Sequence, residues 1–222
     1  MPDWLPKLER AAMLSTEALS QEKVFCIGCN KTGTTSLKLA LHDLGYRVGL
    51  QLSGELLLKK YLARDFTPIV EFCTTADAFQ DIPFSLPYTY VILDHYFRNA
   101  KYILSVRDSD EQWFSSLVSF HSTVLGGGSV PTIDTLKKHP YAYEGFCWDA
   151  KCRAMPSTES DPYDKQSNLA FYNDHNRSVR TYFREKNNLL ELNLAEPGAY
   201  LKFCRFLGRE PVAEDFPWAN RS

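Results

Sequence analysis

Residues 23–44 read KVFCIGCNKTGTTSLKLALHDL. The run Val24-Phe25-Cys26-Ile27 is apolar and short enough for a buried parallel strand. A glycine-bearing loop follows, Gly28-Cys29-Asn30-Lys31-Thr32-Gly33-Thr34-Thr35-Ser36. Leu37, Leu39, Ala40, Leu41 and Leu44 then recur at helical spacing. Strand, glycine loop and helix start together make an anion site. The first turn of a helix leaves N–H groups unpaired, the helix dipole adds partial positive charge, and glycine lets the backbone close around a phosphate.

The type of loop follows from its lysine. The triphosphatase pattern is G-x-x-x-x-G-K-[ST]. Gly28 and Gly33 have that spacing, but Thr34 occupies the lysine position, and the loop's lysine, Lys31, precedes the second glycine. Thr34, Thr35 and Ser36 place three hydroxyls where the N–H groups converge, which suits a 5′-phosphate without a γ-phosphate. The segment resembles the 5′-phosphosulfate loop of sulfotransferases, P-K-x-G-T-T-x-L, with Asn30 in place of the usual proline.

A second constellation supports the first. Residues 101–106 read as a strand with Arg107 at its carboxyl end, and Ser115 lies eight residues on, in the helix that follows. Arginine offers a planar fork for a phosphate, and a serine in that helix adds a hydroxyl. This spacing resembles the sulfotransferase pair that holds the donor's 3′-phosphate. The resemblance continues through Asp81-Ile82-Pro83, residues 172–179, Cys204-Arg205-Phe206-Leu207-Gly208 and Phe216-Pro217-Trp218-Ala219-Asn220. It covers residues 23–222 and leaves 126–160 unmatched. It implies 3′-phosphoadenosine 5′-phosphosulfate (PAPS) as donor, 3′-phosphoadenosine 5′-phosphate (PAP) as product, no metal, and an acceptor hydroxyl or amine. The implied donor-binding set is Lys31, Thr32, Gly33, Thr34, Thr35, Ser36, Arg107 and Ser115. Lys31 is also placed at the bridging oxygen, where it offsets charge on the leaving phosphate. The branch resembled uses an acid in a D-x-P segment as base, which here is Asp81. Desolvation would raise the pKa of that aspartate toward a useful value. His175, on a long helix, is the other candidate base. His121 and His139 lie beyond the Arg107 strand and are not expected at the site.

Strands and helices alternate along the rest of the chain. Short strands are expected at Tyr46-Arg47-Val48, at residues 78–81 and at residues 189–192. Helices are expected over 53–63, 68–72, 86–97, 110–120, 169–183 and 199–207. Such alternation predicts an α/β fold of three layers, a phosphate-loop type with a central parallel sheet flanked by helices. One domain over 1–222 is expected, with a helical flap at 1–22 and a lid-like, irregular insertion at 126–160.

Composition limits the rest. The chain has 222 residues, 44% hydrophobic and 14% aromatic, enough for one substantial core. A net charge of −2 gives no broad basic field for nucleic acid or an anionic membrane. No apolar run reaches transmembrane length, and the N-terminus lacks a signal-peptide pattern, so a cytoplasmic protein is expected. Six scattered cysteines do not make a disulfide framework, and Cys26-x-x-Cys29 lacks a second pair for zinc. The aromatic content leans toward an apolar or aromatic small-molecule acceptor. Two other readings stay open. One is a nucleotide kinase or triphosphatase. The other is a non-catalytic nucleotide-binding module whose aromatic segment 141–148 makes a protein or homodimer contact.

Overall fold

The computed structural model describes residues 21–155 and 160–217. The flap expected at 1–22 and the tail beyond Pro217 lie almost wholly outside that range. Strand β1 (Val24–Cys26) is buried throughout, and β2 (Ala78–Phe79), β3 (Lys101–Val106) and β4 (Leu189–Asn193) join it in one sheet. The order is β2-β1-β3-β4 and every pairing is parallel, with Val24 opposite Ala78, Cys26 opposite Ile103, and Val106 opposite Asn193.

The strands alternate between two apolar cores, as period-two geometry requires. Val24, Cys26, Ala78, Ile103 and Leu192 face one side, against α1 (Thr34–Asp43) and the last helix, α10 (Ala199–Leu207). Phe25, Ile27, Phe79, Tyr102 and Leu104 face the other. That larger side is covered by α3 (Leu58–Leu62), α4 (Thr67–Phe72), α5 (Thr89–Tyr96), α6 (Asp110–Val124) and α9 (Lys165–Tyr182). This is the three-layer α/β fold expected from the alternation. Phe25 anchors the larger core, with ring centroids of Phe79, Phe84, Phe97 and Tyr102 all within 6 Å of its own.

Helix starts follow their caps. Ser109 caps α6, its hydroxyl accepting from the Gln112 N–H at 3.1 Å, and Asp164 caps α9 in the same way through Ser167. Gly208, at φ +68°, closes α10. Two expectations are corrected. Tyr46-Arg47-Val48 forms no strand; Val48 makes only an isolated bridge to Ala78, because the chain turns away after one pairing. The helix expected over 53–63 is two short helices, α2 (Gln51–Glu55) and α3, with a break that turns Glu55 inward. Residues 126–160 hold α7 (Ile133–Lys138), α8 (Phe146–Trp148) and a π-helical turn over Asp149–Ala154. Leu136, Phe146, Ala150 and Ala154 of this stretch join the larger core. Among the described residues no helix is long and apolar enough to cross a membrane.

Candidate functional site

The strand order decides where a site can lie. From β1 the chain moves to β2 on one side and then crosses to β3 on the other. The carboxyl ends of β1 and β3 therefore flank a crevice of the kind in which parallel sheets bind ligands. The loop after β1 carries Lys31, and the loop after β3 begins at Arg107.

The loop after β1 is held from behind by its carbonyls. Cys29 O accepts from the Thr32 hydroxyl at 2.6 Å, Asn30 O from Trp113 Nε1 at 2.8 Å, and Lys31 O from Arg107 Nε at 2.7 Å. Just before the loop, Ile27 O pairs with His175 Nε2 at 2.8 Å. In a planar trans peptide the next N–H points opposite the carbonyl. Anchoring three successive carbonyls thus turns the N–H groups of Asn30, Lys31 and Thr32 the other way. Lys31 takes φ +73° and Gly33 φ +98°, which bends the loop into the helix start. Gly33 caps α1 without a side chain, so the first-turn N–H groups of Thr34, Thr35 and Ser36 have no side-chain cap at the cavity wall. Backbone donors and the dipole of a ten-residue helix together can hold an anion.

The side chains divide their roles. Thr32 is 1% exposed, and its hydroxyl also bonds Ser105 Oγ at 2.6 Å, so it braces the loop against β3. Thr34, Thr35 and Ser36 line the cavity, with Thr34 buried and Thr35 exposed. Lys31 sets its ammonium 3.4 Å from the centre of the Phe120 ring. Burial, together with Arg107, brings its pKa down to about 8, against a smaller upward pull from Asp81. Arg107 lines the cavity, its backbone N–H donating to the Tyr172 hydroxyl at 3.0 Å. Tyr172 in turn stacks on Trp113 at 4.7 Å. Ser115 sits on the exposed face of α6 and is not among the cavity residues; Ser116 and Ser119 are.

The cavity measures about 460 Å³, within the usual range for a small-molecule site. Away from the loop its wall is largely apolar, from Ile82, Leu117, Phe120, Val124, Phe146 and Met155. Asp81 enters it at φ +67°, a left-handed conformation uncommon outside glycine, in which aspartate is one of the more frequent exceptions. One carboxylate oxygen accepts from the Ile82 N–H at 2.8 Å and the other from Gln51 Nε2 at 3.3 Å. Burial raises the Asp81 pKa; the Ile82 N–H, the Asn30 amide, Lys31 and Lys38 pull it back in part. Beside it lies Glu55, also raised by burial and further by the Asp81 charge.

Comparison with known families places the chain as a whole. The family model described as a sulfotransferase domain matches residues 23–222. This chain belongs to the sulfotransferase family. Among curated proteins no relative matches it. The family's activity is sulfuryl transfer, and the matched span takes in all four strands and the whole cavity wall.

Within this sulfotransferase two histidine expectations change. His175 is buried among Tyr90 and Phe171, bonded to the Ile27 carbonyl, and does not line the cavity. Its ring serves the end of β1, because α9 packs across the larger core at that level. His121 does line the cavity, contrary to expectation, since α6 runs along its side. Burial, Lys151 and Lys31 push its pKa down to about 3, and Nδ1 pairs with the Tyr163 hydroxyl at 2.8 Å. Sequence reasoning missed Trp113, Tyr172 and Glu55. Trp113 and Tyr172 read as ordinary core aromatics, and Glu55 as a polar residue on a leucine-rich helix.

Proposed function

We propose that this sulfotransferase moves the sulfuryl group of PAPS to a hydroxyl or amine of a small acceptor, with Asp81 taking the acceptor's proton. The observation that carries this reading is the convergence of two anion-holding elements at the adjacent ends of β1 and β3, joined by the Arg107–Lys31 bond. A triphosphate does not require two separated phosphate sites; a nucleotide with a 3′- and a 5′-phosphate does.

The donor supplies a sulfuryl group on a 5′-phosphate leaving group. The N–H groups at the start of α1 and the hydroxyls of Thr34, Thr35 and Ser36 hold that phosphate in line. Lys31 meets the oxygen between phosphate and sulfur, offsetting the negative charge that gathers there as the bond breaks. Arg107 takes the 3′-phosphate, with Ser115 available from the outer face of α6. The acceptor oxygen or nitrogen forms the new bond to sulfur, the old sulfur–oxygen pair stays on the phosphate, and the acceptor proton passes to Asp81. A sulfuryl group carries less charge than a phosphoryl group, so these cations suffice without a metal. The mostly apolar cavity wall favours an apolar or aromatic acceptor.

Calorimetric titration with PAP tests the donor half of this reading. Saturable binding is expected, and no binding at millimolar PAP would refute it. Sulfur-labelled donor with a panel of alcohols, phenols and amines then tests transfer. PAP binding with no transfer to any of them would instead favour a nucleotide-binding module.

A further inference from the structure

Glu55 is buried at 3% exposure and lines the cavity beside Asp81. Its Oε1 accepts from Gln51 Nε2 at 3.0 Å and from the Tyr141 hydroxyl at 3.3 Å. Its Oε2 is buried with no hydrogen-bond partner among the described residues. Buried carboxylate oxygens in folded proteins are paired as a rule, so an orphan at a cavity wall marks a contact that a ligand completes.

The neighbouring geometry says which ligand. Gln51 Nε2 touches both acids, Glu55 Oε1 and Asp81 Oδ2 at 3.3 Å. Gln80 Nε2 donates to Gln51 Oε1 at 3.2 Å, which keeps the Gln51 NH2 group turned toward the carboxylates. Two carboxylates within reach of one nitrogen can also be served by donors on neighbouring atoms of a small molecule. Neither acid has an ion-pair partner among the described residues. Lys31 sits over Phe120, and Lys38 acts on both acids only through space. Two buried acids against an apolar wall favour a cation that the protein does not itself supply.

We infer that Glu55 determines acceptor specificity: the cavity takes an apolar molecule bearing an ammonium group next to the hydroxyl that receives the sulfuryl group, with Glu55 Oε2 holding the ammonium and Asp81 facing the hydroxyl. This rests on the sulfuryl-transfer reading of the same cavity. It also gives the vicinal amine a part in offsetting charge near the transferred group, on the side opposite Lys31 and Arg107.

Three matched probes test it on the full-length protein loaded with PAP: 2-amino-1-phenylethanol, 1-phenylethane-1,2-diol and 1-phenylethanol. A charge-assisted hydrogen bond predicts that the amino alcohol binds roughly ten- to a hundredfold more tightly than 1-phenylethanol, with the diol between them. Glu55→Gln keeps the shape and should abolish that preference while leaving PAP affinity unchanged. In turnover the loss should fall mainly on KM for the amino alcohol. Equal binding of amino alcohol and 1-phenylethanol, a diol that outbinds the amine, no binding of the amine at millimolar concentration, or a preference that survives Glu55→Gln would each overturn the inference. The probe comparison on the unaltered protein decides the matter even where Glu55→Gln does not fold. Failure to bind PAP would sink the donor reading instead, so the two failures are distinct.

Discussion

Arg107 Nε donates to the backbone carbonyl of Lys31 at 2.7 Å, so the loop after β3 grips the loop after β1 across 76 residues of sequence. One arginine thereby has two tasks. Its guanidinium shapes the loop that carries Lys31, and its remaining N–H groups are free to meet a phosphate. Trp113 anchors the neighbouring carbonyl of Asn30, and Tyr172 joins Trp113 to the Arg107 backbone. The crevice is framed by β1, β3, α1 and α6, with α9 behind them.

Arg107→Ala should weaken PAP binding by about 1.5–3 kcal/mol, the range for a hydrogen bond to a charged group. Adenosine 5′-phosphate lacks the 3′-group and should lose less. Calorimetry with both nucleotides separates the two tasks of Arg107. Equal losses would mean that it acts through the Lys31 loop alone.

Lys31 predicts a pH dependence. Burial and Arg107 bring its pKa down to about 8, so in the nucleotide-free protein its charge is present below that pH and lost above it. A bound phosphate stabilises the charged form and raises the pKa again. PAP affinity should therefore fall as pH rises through about 8, and binding just above that pH should take up a proton. Titrations in buffers of different ionisation enthalpy measure the uptake. Lys31→Ala should abolish it, and an unaltered protein with no uptake would contradict the assignment.

Gly28 predicts a structural effect unrelated to ligand. A Cβ there would lie 2.3 Å from Ser105 Oγ and 2.4 Å from the Ser105 carbonyl oxygen. Ser105 belongs to β3 and bonds Thr32, so the clash would part the two strands that frame the crevice. Gly28→Ala should cost about 1–3 kcal/mol or more of stability, as overpacking does. Thermal denaturation should show a clearly lowered Tm, and an unchanged Tm would mean that β1 shifts without cost.

Much of this was legible in the chain because local pattern and tertiary role coincide. The apolar run before Gly28, the helical spacing after Gly33, the Ser109 cap and the Gly208 stop each specify their element within a few residues. The parallel sheet follows from their alternation. Legibility fails where a role depends on distant partners. Thr32 reads as a phosphate ligand, yet its hydroxyl is turned back toward Ser105 on β3. Glu55 reads as one more polar residue of a single helix over 53–63, because Gly54 is only a weak local hint of the break between α2 and α3 that turns it inward. The left-handed backbone of Lys31 carries no signal either, since lysine does not favour that region, whereas Asp81 before Pro83 is of a type that tolerates it in turns.

Asp81 as the acceptor's base is the most direct mechanistic test. It stands in the cavity wall, on the β2 side of the crevice, while the elements that suit the donor phosphates lie at β1 and β3. Burial raises its pKa, which makes it a stronger base than an exposed aspartate, and its neighbours keep part of the ionised form in play. Its titration is linked to that of Glu55 beside it, so the acid limb of a pH–rate profile belongs to the pair. kcat/KM for PAPS should rise with pH through a range above that of ordinary carboxylates and fall again near pH 8, where Lys31 of the nucleotide-free protein loses its proton. Asp81→Asn should leave PAP affinity nearly unchanged, lower turnover about 10²–10⁴-fold and remove the acid limb. His121 is the one histidine that lines the cavity among the described residues, and its low pKa leaves it neutral at pH 7. If Asp81→Asn turned over near the wild-type rate and His121→Asn did not, the proton would go to the imidazole instead.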